Sequence, residues 1–455
     1  MNSTRFFDPK LLRKYNINGP RYTSYPTALS FNESFFNDDL IKAVKTSPNT
    51  DLSLYLHIPF CQSLCYYCGC NKIVTRHTEK AEEYLTFLIA EIAQRKNLFK
   101  KHLVQQIHLG GGTPSFLSKQ QLSNLLAVLK SHFNLAENAE IGIEIDPRNV
   151  SQDYIEHLAN IGFNRLSIGV QDIDPQVQIA INRVQSTELI KQLVERAHKL
   201  GFRSVNLDLI YGLPHQTPDR FARTLDAAIA MNVQRISLFS YAHLPERFPA
   251  QRKLRDEWLP NATEKLALMQ LAIERLLSAG YLMVGMDHFA KPNDELAIAQ
   301  QQQKLHRNFQ GYTTHADCDL LGLGLSAISH IGNCFSQNHK NLSDYYQALN
   351  NSNNAVHKGV KTSLDDQIRG YVISQLMCNL QVDKGQVEAL FDIDFDTYFQ
   401  HSLYSLLPFV QDQLVDINST KIKVSEKARL LIRNICMSFD AHIKNQQALK
   451  YSSVI

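Results

Sequence analysis

The sequence predicts an α/β chain: a parallel sheet with outer helices, closed or nearly closed into a (β/α)6 barrel. An N-terminal arm precedes it, and a helix-rich domain of winged-helix type follows. Three observations carry this. Six short apolar runs recur between Leu52 and Tyr241, each followed by a polar or Gly-rich turn and an amphipathic segment. The alternation weakens at KPNDELAIAQQQQKLH and stops at the Asn-rich NNSNNAVHKG. Beyond that point helical periodicity dominates to Cys436.

In chain order the runs are LSLYLHI, QIHLGG, EIGIEID, RLSIGV, VNLDLIYG and RISLFSYA. All are strand-sized, rich in Ile, Leu and Val, and bounded by Gly, Asp or Pro. The segment YLMVGMDHF offers a seventh. Between the runs, Leu85, Leu88, Ile89 and Ile92 repeat with helical spacing, as do Leu122, Leu125, Leu126 and Leu129. Ser151 is placed to cap one helix, and Thr217-Pro218 to start another with proline at its first position. NNSNNAVHKG reads as a linker, and LVDINSTKIKV as a small hairpin in the last domain. The expected boundaries are 1–50 for the arm, 51–350 for the barrel with its extension, and 351–455 for the C-terminal domain.

A chain of 455 residues, 44% hydrophobic, can bury one large core or two. Its formal charge of +3 gives no bias toward nucleic acid or a membrane surface. The N-terminal MNSTRFFDPKLLRKYN lacks an apolar stretch followed by a cleavage site, and no run is long enough to span a bilayer. The expectation is a cytoplasmic, monomeric enzyme. Cys318, Cys334, Cys378 and Cys436 are scattered and read as buried small residues.

The other four cysteines lie within CQSLCYYCGC. A disulfide is disfavoured in a reducing compartment. A zinc knuckle would normally use two close pairs with a longer spacer. A ferredoxin-like site would need a fourth cysteine at its usual spacing. Three thiolates on one loop would instead hold a [4Fe-4S] cluster with one iron open to a ligand. The loop follows the first strand, so it falls at the C-terminal mouth of the barrel, where such folds place their chemistry. Gly110-Gly111-Gly112-Thr113-Pro114 ends the second strand, and Glu144, Gln171, Asp208 and Tyr241 lie at or near the ends of strands three to six.

The spacing C-x3-C-x-aromatic-C, met by Cys61, Cys65, Tyr67 and Cys68, resembles the signature of the radical S-adenosylmethionine (SAM) superfamily. Longer segments are similar to one family within it, the oxygen-independent coproporphyrinogen III oxidases. They include GPRYTSYPTA, GGGTPSFL, FNRLSIGVQD, DLIYGLPHQTP, HRNFQGYTT and LLIRNICMSFD. The resemblance implies a partial (β/α)6 radical SAM barrel. Cys61, Cys65 and Cys68 would ligate the cluster, and SAM would chelate its fourth iron. Tyr55, Gly111, Glu144 and Ile328 would contact this SAM. A second SAM would meet Tyr67, Gly112, Thr113, Gln171, Arg183, Asp208 and Ala242. Many relatives have Phe where Tyr67 stands, and either ring can pack on adenosine. Cys70 is typical of the family but is not among the ligands.

The implied reaction turns two propionates of coproporphyrinogen III into vinyl groups, giving protoporphyrinogen IX in haem biosynthesis. A low-potential donor such as a flavodoxin or ferredoxin would supply electrons. Because the substrate carries four carboxylates, Arg21, Arg307 and Gln310 are candidate contacts. The rival reading is a related haem-binding chaperone without decarboxylase activity. The GPRYTSYPTA arm and the CYYCGC form of the motif favour the oxidase.

Overall fold

The computed structural model describes residues 8–316, 318–352 and 354–443. The chain forms two compact units, each gathered from separated stretches. One comprises Phe31–Asn261 and Asp317–Lys361; the other comprises Met1–Ser30, Ala262–Ala316 and Thr362–Ile455. The arm, barrel and C-terminal domain read from the sequence are consecutive, whereas these units interleave along the chain.

The six apolar runs form six parallel strands in the first unit. They are β1 (Asp51–Ile58), β2 (Leu103–Gly111), β3 (Asn134–Ile145), β4 (Arg165–Gln171), β5 (Ser204–Tyr211) and β6 (Arg235–Ser240), neighbours in that order. Helices α1 (Glu79–Arg95), α2 (Lys119–His132), α3 (Gln152–Ile161), α4 (Thr187–Lys199) and α5 (Pro218–Ala230) follow the first five strands. Side chains alternate across a strand, so β1 divides sharply. Leu52, Leu54, Leu56 and Ile58 are wholly buried, each stabilising the fold by about 1.5–3 kcal/mol relative to exposure. The opposite face carries Ser53, Tyr55 and His57. A polar belt crosses that face: Ser53 bonds Gln106, Gln106 bonds Glu140, and Glu140 pairs with Arg165 at 2.8 Å. Further along, Asn206 donates to Ser167, and Ser237 donates to Asn206. This partner-satisfied polar face is what a functional site can grow from.

The helices form where the periodicity places them. Leu122, Leu125, Leu126 and Leu129 are all buried on α2, and Leu85, Leu88 and Ile92 on α1. Thr217 accepts from the backbone N–H of Arg220, with Pro218 opening the helix. Ser151 occupies the cap position of α3, but its hydroxyl bonds the Asp153 carboxylate rather than the backbone.

The sequence reading needs two corrections in detail. YLMVGMDHF is not one strand. Leu282–Val284 and His288–Ala290 pair antiparallel about a turn at Gly285, whose φ of +61° suits glycine. The Tyr312 hydroxyl occupies the space a Cβ there would need and accepts from the Met286 N–H. The seventh parallel strand is instead β7 (Cys318–Leu323), on the free edge of β1. It continues antiparallel into β8 (Ile328–Ile331), β9 (Cys334–Asn338) and β10 (Val356–Lys361). NNSNNAVHKG is therefore not a linker: it ends the helix Leu342–Ser352 and begins β10. Gly359 lets that edge strand pack closely, since a Cβ there would meet the Phe335 carbonyl oxygen at 2.4 Å.

In the second unit, Val415–Ile417 and Lys421–Val424 form the expected hairpin, joined by Gln381–Asp383 into a three-stranded sheet. The helices Leu364–Asn379, Lys384–Phe391 and Gln400–Gln411 accompany it, as the helix-rich winged-helix reading requires. The N-terminal arm is tied to the end of this domain. Tyr22 donates to Asp440 at 2.9 Å, Arg433 donates to the Pro20 carbonyl at 2.8 Å, and the Ala441 N–H donates to the Tyr25 hydroxyl at 2.9 Å.

Candidate functional site

β1 delivers the cysteine loop to the C-terminal edge of the sheet. Past Ile58, the two-residue strands Phe60–Cys61 and Ile73–Val74 pair in parallel and close the loop between them. The bonds from Ile73 N to Pro59 O (2.7 Å) and from Thr75 N to Cys61 O (2.9 Å) fasten its two ends. Gly112 N donates to Ile58 O at 2.9 Å, bringing the glycine turn of β2 against the same base. A Cβ on Gly112 would lie 2.5 Å from the Pro59 carbonyl oxygen, so only glycine permits this approach.

All four cysteines of the loop are free thiols. Cys61 Sγ lies 3.5 Å from Thr113 Oγ1, and burial pushes its thiol up to about 11. Buried Cys65 accepts from Arg148 Nη2 at 3.4 Å and from Arg183 Nη1 at 3.5 Å. Cys68 accepts from the Cys70 N–H at 3.4 Å. The Cys70 thiol also bonds it, which with other donors brings Cys68 down to about 6. Cys70 itself is exposed. Among the described residues, no three His, Cys, Asp or Glu side chains converge on a single ion. A cubane places each ligand on a different iron, so its thiolates need not converge in that way. Three free, soft thiols on one loop suit an iron–sulfur cluster chemically.

Around them the predicted SAM contacts fall into linked sets. Tyr55 donates its hydroxyl toward His57 Nδ1 at 3.1 Å, and its ring stacks on His108 at 6.2 Å. His108 Nε2 meets Glu144 Oε1 at 3.1 Å, and Gly111 N donates to Glu144 Oε2 at 3.3 Å. Burial works to raise the Glu144 carboxyl, but His108 and the Gly111 amide outweigh it and leave it below the usual range. Gly111 has φ +117°, and a Cβ there would strike the His57 ring at 2.6 Å. Tyr55 pairs with Gly322 of β7, and a Cβ on Gly322 would lie 2.5 Å from the Ile328 carbonyl oxygen. That packing sets the Ile328 backbone against Gly322, the strand neighbour of Tyr55.

The second set centres on Arg183. Its guanidinium reaches the Gly169 carbonyl at 2.5 Å and Asp146 Oδ2 at 3.0 Å, and Asp146 also pairs with Arg148 at 2.5 Å. Burial alone would lower Arg183, but Tyr67, Asp146 and Cys65 raise it, so it stays charged. A Cβ on Gly169 would touch both Arg183 and Gln171, so these two side chains share one space. Gln171 is buried and has φ +67°. Tyr67 packs on an apolar cluster that includes Val177, Ile181 and Tyr241. Gln251, 2% exposed, donates to the Tyr67 carbonyl at 3.0 Å and the Ala242 carbonyl at 3.2 Å. Asp208 sits three residues before the end of β5, where it bonds Ser167 and Asn206.

The candidate substrate contacts lie in the other unit. Arg307 donates to the Arg21 carbonyl, and its guanidinium stands 5.3 Å over the Tyr312 ring. Gln310 is in the turn between the paired strands His306–Asn308 and Gly311–Thr313. Arg307 Nε and Gln310 Nε2 are buried without a partner among the described residues.

Sequence reasoning missed His57, Asp146, Arg148 and Gln251. His57 Nε2 lies 3.0 Å from the Asn71 carbonyl oxygen, and burial lowers its basicity. One neutral tautomer, protonated at Nε2, satisfies both neighbours and pins the returning cysteine loop to β1. Asp146 and Arg148 stand in EIDPR, a signal for a charged elbow. Nothing near Gln251 in sequence signals its reach to Tyr67.

Residues 55–228 match the radical SAM superfamily, and residues 362–431 match the HemN C-terminal domain. The oxygen-independent coproporphyrinogen III oxidase of Escherichia coli (strain K12) is 50% identical over 450 residues, covering 99% of this chain and 98% of its own length. The chain belongs to the oxygen-independent coproporphyrinogen III oxidase family. The Pseudomonas aeruginosa member is 46% identical over the full length of both chains. The solved coproporphyrinogen III oxidase (HemN) of Escherichia coli, described as a radical SAM enzyme, superposes with a TM-score of 0.94. It covers 96% of this chain and 100% of its own. The partial barrel with a helix-rich C-terminal domain is thus the family fold, and the oxidase reading prevails over the chaperone. Membership implies a [4Fe-4S] cluster and SAM. No helix among the described residues is long and apolar enough to cross a membrane.

Proposed function

We propose that this chain oxidatively decarboxylates two propionate side chains of coproporphyrinogen III to vinyl groups without dioxygen, yielding protoporphyrinogen IX. The observation that carries the reading is the full-length agreement with coproporphyrinogen III oxidases, coupled to three free thiols at the C-terminal edge of β1. A [4Fe-4S] cluster on Cys61, Cys65 and Cys68, with SAM bound, would supply the 5′-deoxyadenosyl radical for a C–H bond that no protein base deprotonates usefully.

The chain's own residues would bind and orient. The ionised Glu144 is suited to the ammonium of a SAM methionyl group, and the glycine turn at Gly111 lets backbone approach it. Tyr55 and Ile328 would wall the same molecule. For a second SAM, Arg183 offers a permanent charge to its carboxylate, with Gly112, Thr113, Gln171, Asp208 and Ala242 alongside and Tyr67 against its ring. The Val177, Ile181 and Tyr241 cluster would keep water from that side. The unpartnered donors of Arg307 and Gln310, with Arg21, are suited to the substrate carboxylates. A flavodoxin or ferredoxin would reduce the cluster of a cytoplasmic monomer.

The test is anaerobic. Reconstituted protein with dithionite, SAM and coproporphyrinogen III is expected to release CO₂, 5′-deoxyadenosine and protoporphyrinogen. Haem binding with neither 5′-deoxyadenosine nor a vinyl product would overturn the reading.

A further inference from the structure

The outer side of the cysteine loop carries a feature that the chemistry above does not use. A groove of about 670 Å³ opens there, walled by Gln62, Ser63 and Leu64 of the loop and by Val74, Arg76 and Lys80 beyond it. Its wall residues stand between or beside the proposed cluster ligands. Gln62 to Leu64 span the interval from Cys61 to Cys65, and Val74 pairs with Cys61 in the two-residue strands. The floor is wired to the same place. Asn182 lines the groove and donates to the Leu64 carbonyl at 2.8 Å, while its own carbonyl accepts from Arg148, which also reaches Cys65.

The lining is polar and basic, with Leu64 and Val74 its aliphatic members. Arg76, His77 and Lys80 are all exposed and line the groove; the acidic residues of the adjoining helical turn, Glu79 and Glu82, are not in its lining, and His77 holds Glu79 at 2.9 Å. Val74 is 42% exposed, and the turn bearing Asn182 leaves Ile179 and Val184 uncovered at 68% and 63%. Val74, an uncovered aliphatic side chain in a lining shared with two cations, suits a transient protein interface. The lining itself thus carries the cations Arg76 and Lys80 and no carboxylate.

We propose that this groove is the docking site of the electron donor, an acidic one-electron carrier protein. The assignment rests on the proposed function, which requires a reduced cluster, and it adds where the electron enters. A carrier seated on Leu64 and Val74 would stand beside the ligands, since Leu64 precedes Cys65 and Val74 pairs with Cys61. Arg76 and Lys80 would steer its acidic face, an effect that raises the association rate and weakens with salt.

The experiment uses the cluster-loaded full chain with bacterial flavodoxin and ferredoxin as probes. Carrier binding is read by titration calorimetry, and cluster reduction by stopped-flow bleaching in the visible. The double variant Arg76→Glu/Lys80→Glu is expected to weaken binding and slow carrier-driven bleaching at least tenfold. Adding salt to the unaltered chain should move both in the same direction. Iron content, SAM binding and bleaching by dithionite should stay within twofold, because neither residue touches the site. Carrier binding and bleaching unchanged in the double variant would overturn the docking assignment and leave the proposed function standing. A wild-type cluster reduced by dithionite but by neither carrier would instead overturn the donor itself, and the groove's role with it.

Discussion

Replacing Gln251 by Leu should loosen the proposed SAM site without altering any proposed SAM contact or cluster thiol. The side chain is 2% exposed, and a leucine of similar bulk fills its space, so packing is nearly conserved. Three hydrogen bonds disappear: those to the Tyr67 and Ala242 carbonyls, and the one accepted from Leu244 N at 2.6 Å. At about 1 kcal/mol each, with more for a buried group left unsatisfied, the loss is roughly 2–4 kcal/mol. A tenfold change in affinity corresponds to about 1.4 kcal/mol, so the whole loss directed at SAM would weaken binding roughly 30- to 700-fold. Tyr66 N still donates to Ile181 O at 3.0 Å and keeps part of the loop in place. A drop of about tenfold is therefore expected, and the rest should appear as a lower melting temperature. Titration calorimetry of SAM into cluster-loaded protein measures the first, and thermal unfolding of the apoprotein the second. Gln251→Glu, which sets a carboxylate against two carbonyls, should bind SAM at least as poorly. Binding within twofold of wild type, with melting unchanged to about 1 °C, would refute the idea that Gln251 holds Tyr67 and Ala242 together.

Three further outcomes are expected. Glu91 accepts from Gly324 N, Asn338 Nδ2 and Tyr345 Oη at 2.7–2.8 Å while 1% exposed, so Glu91→Ala should cost about 3–5 kcal/mol in urea unfolding of the apoprotein. Burial works to raise Asp287, yet His288 at 2.7 Å, with Arg307 and Arg21, holds it down at about 2. A depressed carboxyl stabilises the fold above its unfolded value near 3.8 and loses that contribution as pH falls toward 2. Asp287→Asn should therefore lose about 2 kcal/mol at pH 7, and its gap from wild type in urea midpoints should narrow below about pH 4. Cys61→Ser, Cys65→Ser and Cys68→Ser should each lose iron by colorimetric assay after reconstitution, whereas Cys70→Ser should retain it. Equal iron loss in all four would contradict the three-ligand assignment.

The six strands were readable because each is a run of aliphatic residues closed by Gly, Asp or Pro, and that local signal survives any tertiary context. The cysteine motif was readable because its three proposed ligands share one loop. What escaped depends on residues brought together from afar. Gln251 reaches a carbonyl of the cysteine loop from beyond the sixth strand. β7 escaped because its partner in the sheet is the first strand, and the chain between them includes a segment that folds into the other unit. NNSNNAVHKG has the composition of a connection, yet Val356 and Gly359 are the buried positions of an edge strand whose partner composition cannot reveal. Ser151 shows the reverse error: a correctly placed cap residue whose hydroxyl donates to the Asp153 carboxylate and accepts no backbone N–H.

The pairing of Asp51 with Cys318 has a consequence for how the protein is made. At synthesis rates of about 5–20 residues per second, β1 and its cysteine loop would wait roughly 13–50 s before β7 leaves the ribosome. During that interval one edge of β1 has no strand beside it, and the thiols of the loop lie open to oxidants and stray metals. Slowing translation between residues 261 and 317 would lengthen the exposure without changing a single side chain of the finished protein.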